Sequence, residues 1–283
     1  MPNKRPLGII SKRNLDASLA ALLKAVIAVT AMFLMLPVIM TVLMSFDSRD
    51  YLGPFPPPSL SIKWFEQFAH NVYLWAGFQT SLLLAVSATA IATAIGALAA
   101  LAISRMSALW REPITTAFLS PLVIPGVIIG FAFLMIFSAV NVLPTFLKLV
   151  AGHLIITIPF TIRMTLIGLL GISATLREAA LSLGANERQA FLTITLPLAK
   201  NSIAAGAIFA FAFSMDDLTI SLFLGDFSTY TLPVALISLM RSNFDLTLAA
   251  AAVFLMGLTV VILIVLDRVL GLERAIGQGS YRG

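Results

Sequence analysis

From Ala25 to Met44 the chain carries twenty consecutive residues without a charged side chain. At about 1.5 Å of helix rise per residue, that run matches the roughly 30 Å hydrocarbon core of a bilayer. Further apolar stretches follow, and together they predict six transmembrane helices near 23–45, 81–103, 116–140, 149–172, 201–224 and 246–266. Charged residues make up 11% of the chain, less than half the roughly 25% of a soluble domain. The expectation is an all-α, polytopic membrane protein. One transmembrane domain covers 23–266, with a tail over 1–22 and another over 267–283. No long polar block accommodates a second, soluble domain. The basic start followed by an apolar run also fits a signal peptide. The length of the run and the lack of a small-x-small cleavage site after it favour a retained first span.

Lysine and arginine set the predicted orientation. Thirteen of them (Lys4, Arg5, Lys12, Arg13, Lys24, Arg105, Arg111, Arg177, Arg188, Lys200, Arg268, Arg274, Arg282) fall on one face. Four (Arg49, Lys63, Lys148, Arg241) fall on the other, and Arg163 lies inside the fourth span. The positive-inside rule then places both termini and the 173–198 loop in the cytoplasm. The net charge of +5 is thus a topology signal and does not point to nucleic acid. Cysteine is absent, which excludes disulfides, thiolate metal sites and cysteine nucleophiles. In the first external loop, a Pro-rich linker leads to Trp64, Phe65, Phe68, Tyr73 and Trp75, read as an amphipathic aromatic anchor at the membrane interface.

The stretch LREAALSLGANERQAFLTITLP, residues 176–197, is too charged for lipid. Thr175 and Glu178 have capping-box spacing, which predicts a helix starting there and ending at Gly184. Asn186 and Gln189 repeat the spacing for a second helix, and Pro197 introduces the next span. Two short helices about a glycine elbow form a folded cytoplasmic surface. It either lies on the headgroups or docks into a groove of a cytoplasmic partner.

Glu178-Ala179-Ala180, Gly184 and the Ile194…Leu196-Pro197 ending resemble the EAA loop of ABC-importer permeases. FQTSLLLAVSATAIATAIGALAALAISR resembles that family's second span. SMDDLTISLFLGDFSTYTLP resembles the fifth span of the spermidine/putrescine-type permeases, in the shorter of their two permease subunits. The resemblance implies a type I permease fold in a bacterial inner membrane, with the EAA loop as the element that couples to an ATP-binding cassette ATPase dimer. It also implies a second homologous permease subunit and a periplasmic substrate-binding protein. ATP and Mg would be held by the ATPase subunits, with no cofactor in this chain. One departure concerns substrate: Gly126 stands in SPLVIPGVIIG where that subfamily often carries an acid.

Asp216 and Asp217 are the costliest residues to place, at about 2.5–3.5 kcal/mol each near mid-bilayer on insertion scales. On a continuous helix, Ser214, Asp217 and Ser221 would form one polar stripe, and Asp216 with Thr219 a neighbouring one. These residues line a path for a cationic amine, or an acid pairs with Arg163, or one caps a helix break. Pro121, Pro125 and Gly126 kink the third span, either as a gate helix or as packing. Gly96 and the Ala-rich second and sixth spans read as close helix packing. His70 and His153 stand at loop edges, and no metal site is expected.

No GxxxxGK[ST], HExxH or GxSxG occurs, so neither a catalytic residue nor ATPase machinery is expected. The favoured function is the permease subunit of an ABC importer for polyamines or a related small organic cation. An importer of another small solute (amino acid, opine-like compound or aminophosphonate) is the alternative within that class. An ion-coupled secondary transporter using the two aspartates and Arg163 is the alternative outside it, and an intramembrane enzyme stands further off.

Overall fold

The computed structural model describes residues 12–140, 143–242 and 244–270. Among these the secondary structure is helical, apart from an isolated bridge between Asp47 and Leu60. Most of the predicted tails, including Lys4, Arg5, Arg274 and Arg282, lies outside the described residues. The chain divides into two compact units, Met1–Glu66 with Asp245–Val253, and Gln67–Phe244 with Phe254–Gly283.

In the first unit, α1 (Lys12–Ser45) is a single helix, and every residue from Asp16 to Ile39 is exposed. An apolar helix with its backbone bonds satisfied internally needs no protein cover in lipid. After α1 the loop is fastened by Asp47. Its carboxylate accepts from the Arg49 backbone N–H at 3.0 Å and from the guanidinium at 2.5–3.1 Å, and Trp64 Nε1 donates to its carbonyl at 2.7 Å. The Arg49 bonds hold the Asp47 carboxyl below the ordinary range, against a burial that acts the other way. Trp64, at the start of α2 (Lys63–His70), packs on Leu246 and Ala250. Trp64 and Phe68 are both buried, so these two aromatics serve the protein core and not the membrane belt predicted for them.

The second unit is organised around α3 (Val72–Ser104), α6 (Thr145–Leu170) and α9 (Leu196–Asp216), which pack on one another. Small residues permit the approach: a Cβ on Gly206 would sit 3.0 Å from Thr161 Cα, and one on Gly96 would run into the Thr161 side chain. Thr161 Oγ1 donates to the Ala92 carbonyl at 2.8 Å, joining α6 to α3. Among the described residues of both units, four helices (Asp16–Ser45, Val72–Ser104, Thr145–Leu170, Glu187–Asp216) are long and apolar enough to cross a membrane.

The predicted third span is not one kinked helix. α4 (Ala108–Leu119) and a 3₁₀ turn at Ser120–Leu122 meet α5 (Gly126–Val140) at 86°, so this pair makes a fifth crossing only if counted as one broken span. Pro121 sits in the 3₁₀ turn and Pro125 immediately precedes α5, where its carbonyl accepts from Ile128 N–H at 2.9 Å. A proline removes a ladder bond and crowds the preceding turn, which accounts for a full break between two of them. The last long element, α12 (Thr247–Leu270), contains a shorter apolar helix over Thr247–Ile262.

Candidate functional site: a surface elbow and a buried helix break

The predicted docking stretch is two helices about a sharp turn. α7 (Ala174–Ser182) is capped by Ser173, whose Oγ accepts from Thr175 N–H at 3.4 Å. The predicted cap, Thr175, is the second residue of the helix, and its hydroxyl bonds that of Ser173 at 2.6 Å. At the other end Gly184 has φ +90°, a conformation that costs a non-glycine residue about 1–2 kcal/mol. The Gly184 N–H donates to Leu181 O at 3.0 Å and the Ala185 N–H to Ala180 O at 3.1 Å, the paired bonds of a Schellman cap.

α8 (Glu187–Ala190) then opens with the predicted capping box. Asn186 Oδ1 accepts from Gln189 N–H at 2.9 Å, and Gln189 Oε1 from Asn186 N–H at 2.8 Å. An ion pair not foreseen from sequence, Arg177 with Glu187, braces the two helices across the turn. Pro197 does introduce the next span, at the start of α9 (Leu196–Asp216), but no break precedes it. α8 passes through a π turn at Phe191–Thr195 directly into α9, with Pro197 in its first turn. The wider π turn takes up the ring that would crowd an α-helical turn. Glu178 and Ala179 are exposed, Ala180 is half-buried, and Leu183 at the tip of the elbow is 89% exposed.

The predicted fifth span ends early. α9 stops at Asp216, Asp217 is extended (φ −67°, ψ 116°), and α10 (Thr219–Leu224) starts afresh. The segment SMDDLTIS contains neither proline nor glycine, so side chains must hold this break. Asp217 caps α10: its Oδ2 accepts from Ser221 N–H at 3.0 Å and Ser221 Oγ–H at 3.4 Å. His153, fully buried on α6, reaches both sides. Its Nδ1 lies 2.8 Å from Ser214 Oγ on α9, and its Nε2 lies 3.0 Å from Ser221 Oγ on α10 and 3.5 Å from Asp217 Oδ2.

Ser214, Asp217 and Ser221 do come together, but around His153 and across a break, not as a stripe on one helix. The expected Asp216–Thr219 stripe does not form either, because Thr219 opens α10 beyond the break. Asp216 is exposed at the end of α9. Behind it on the same face, Phe213 stacks on Phe160 at 4.1 Å and Phe209 on Phe160 at 6.5 Å. Arg163 is exposed, and among the described residues no ion pair joins it to either aspartate. It stands about 10 Å short of the end of α6 at Leu170, within reach of the interface for a snorkelling guanidinium. Of the predicted gate residues, Gly126 faces Thr219, whose side chain would be 3.5 Å from an added Cβ. The third-span break and the fifth-span break therefore adjoin.

His153, expected at a loop edge, lies buried within α6 instead. A lone histidine between apolar residues, facing two serines elsewhere in the chain, was the available signal, since buried polar groups need partners.

Residues 92–272 match the model of a family described as binding-protein-dependent transport system inner membrane component. The spermidine/putrescine transport system permease protein PotC of Shigella flexneri is 27% identical over 248 residues, 88% of this chain and 93% of that protein. The putrescine transport system permease protein PotI of Escherichia coli is 28% identical over 233 residues, 80% and 82% of the two chains. In fold, the chain is similar to a chain in the crystal structure of a bacterial ABC transporter that imports alginate. Their TM-score is 0.71 at 18% identity, over 90% of this chain and 95% of that one. With its apolar helices, elbow and broken spans accounted for, the chain belongs to the inner-membrane permease components of binding-protein-dependent ABC importers.

Proposed function

We propose that this multi-pass inner-membrane permease forms half of the translocation path for polyamines, such as spermidine and putrescine, or a related small organic cation. Asp216 carries the reading: an exposed carboxylate on a membrane-spanning helix, bordered on its own face by Phe209 and Phe213. A carboxylate beside aromatic faces suits an organic ammonium, by charge and by cation–π attraction. The PotC and PotI likenesses support the same class of solute.

The energy enters elsewhere. The elbow of α7 and α8 docks an ATP-binding cassette dimer, with Glu178, Ala179, Ala180 and Gly184 at the contact and Pro197 at the root of the following span. An exposed Leu183 on a preformed, capped turn supports that role. A second, similar permease subunit completes the path, and a periplasmic binding protein delivers the solute. Both termini lie in the cytoplasm by the basic-residue count, with α12 as the sixth span. This chain hydrolyses no ATP and holds no cofactor of its own; ATP and Mg belong to the partners.

The uncharged Gly126 wall beside Thr219 favours a second reading, import of a less cationic small solute such as an amino acid or an aminophosphonate. Uptake of labelled putrescine and spermidine by the reconstituted complex tests the choice. Asp216→Asn is expected to raise the apparent KM about tenfold, the effect of about 1.4 kcal/mol of lost attraction. Wild-type uptake by Asp216→Asn removes the cation-path reading, and competition by unlabelled neutral solutes in place of diamines selects the second.

A further inference from the structure

The break between α9 and α10 separates two packing environments. α9 is seated on α3 and α6, whereas α10 is seated on α5 and α6. Ile220 and Leu224 of α10 lie against Gly152, and Phe223 against Gly130. The His153 side chain hydrogen-bonds to both halves, through Ser214 and Ser221.

The direction of these bonds follows from what each group can donate. Ser221 Oγ–H donates to Asp217 Oδ2, which leaves the Ser221 oxygen to accept from His153 Nε2–H. A neutral imidazole with Nε2 protonated has Nδ1 free to accept, so Ser214 Oγ–H donates to it. The result is one directed chain from α9, through α6, into α10, ending on the carboxylate that caps α10. In this arrangement each member satisfies its neighbours, and the imidazole is fully buried.

We propose that His153 is a positioning residue: it fixes the angle of the chain at Asp217 and thereby aims the neighbouring Asp216 carboxylate. Its consequence for transport rests on the reading of Asp216 as a path residue. The geometric claim does not.

The natural chain has no cysteine, so Asp216→Cys introduces its one thiol. The experiment follows labelling of that thiol by a small cationic methanethiosulfonate in the assembled transporter. Asp216→Cys alone is compared with the same variant carrying His153→Leu, Ser214→Ala or Ser221→Ala. Ser214→Ala removes one bond of this chain and Ser221→Ala two, at little steric cost, and either stands in if His153→Leu does not assemble. The expected result is a change in labelling rate of about fivefold, the usual weight of one hydrogen bond, with unchanged yield of complex. His153→Gln, which keeps a donor and an acceptor, is expected to restore much of the original rate. Unchanged labelling in all three variants overturns the proposal.

Uptake separates this from the path reading. With Asp216 intact, His153→Leu (or Ser214→Ala in its place) is expected to raise the KM for putrescine. In an Asp216→Asn background it adds nothing further, because the effect runs through that carboxylate. A KM rise of equal size in both backgrounds also overturns the proposal. If labelling shifts while Asp216→Asn transports as wild type, the path reading falls and the positioning role of His153 stands.

Discussion

Between α7 and α8 the chain turns on residues that neighbour one another in sequence, whereas between α9 and α10 it turns on a histidine 61 positions from Ser214. At the elbow Gly184 supplies the positive φ, and Asn186 and Gln189 satisfy the backbone within four residues. At the break no residue is conformationally special, and a buried side chain from α6 holds the two halves. The difference follows from surroundings. At a water-exposed elbow, stray backbone groups are hydrated, so local caps suffice. At the buried break around His153, Ser214 and Ser221, every freed backbone or side-chain group needs a protein partner, so the interruption is built from tertiary contacts. An elbow of the first kind is self-contained, as the proposed docking role requires. A break of the second kind responds to movements of the helices that hold it.

The largest effect is expected at Gly184. A β-branched residue there is strained, and Gly184→Val is expected to lower substrate-stimulated ATP hydrolysis by about tenfold or more, since small misplacements cost that much in a positioned assembly. Transport by this variant at the wild-type rate would show that the elbow geometry is not read by a partner. A smaller effect is expected at the capping box. Asn186→Ala costs about 1 kcal/mol of local stability, visible as faster amide exchange in α8 and not in α10.

The smallest effect concerns the far end of α10, where Asp226 accepts from Thr145 Oγ1–H at 2.5 Å and from Ser228 and Thr229 at 2.7–2.8 Å. The bond from Thr145, then those from Ser228, hold its carboxyl at about 2, against a smaller opposing effect of burial. A depressed carboxyl stabilises the fold above its ordinary value near 3.8 and loses that contribution as pH falls toward 2. Melting of the detergent-solubilised complex between pH 4.5 and 2.5 is therefore expected to fall less steeply for Asp226→Asn than for wild type.

The same contrast explains what was legible in the sequence. Gly184 and the Asn186–Gln189 box were readable because their signals are local. The first cap moved from Thr175 to Ser173, two hydroxyl residues that lie two apart and serve equally well. Pro197 does stand at the start of the next span, but the π turn that joins it to α8 has no local signal. Pro121 and Pro125 announced an interruption, though not one of 86°. The break at Asp217 was invisible, since SMDDLTIS is an acceptable helical sequence and its interruption depends on His153. Ser214, Asp217 and Ser221 were grouped correctly for the wrong geometric reason.

That energy enters at the elbow and the solute passes at the break is our proposal. It is tested most directly by measuring ATP hydrolysis and putrescine uptake together in reconstituted complexes carrying Gly184→Val or Asp216→Asn. The elbow variant is expected to lose stimulated hydrolysis and uptake in parallel. The break variant is expected to keep hydrolysing ATP at saturating binding protein while uptake at low putrescine falls. Equal losses of both activities in the two variants, or full uptake by Asp216→Asn, would contradict the account.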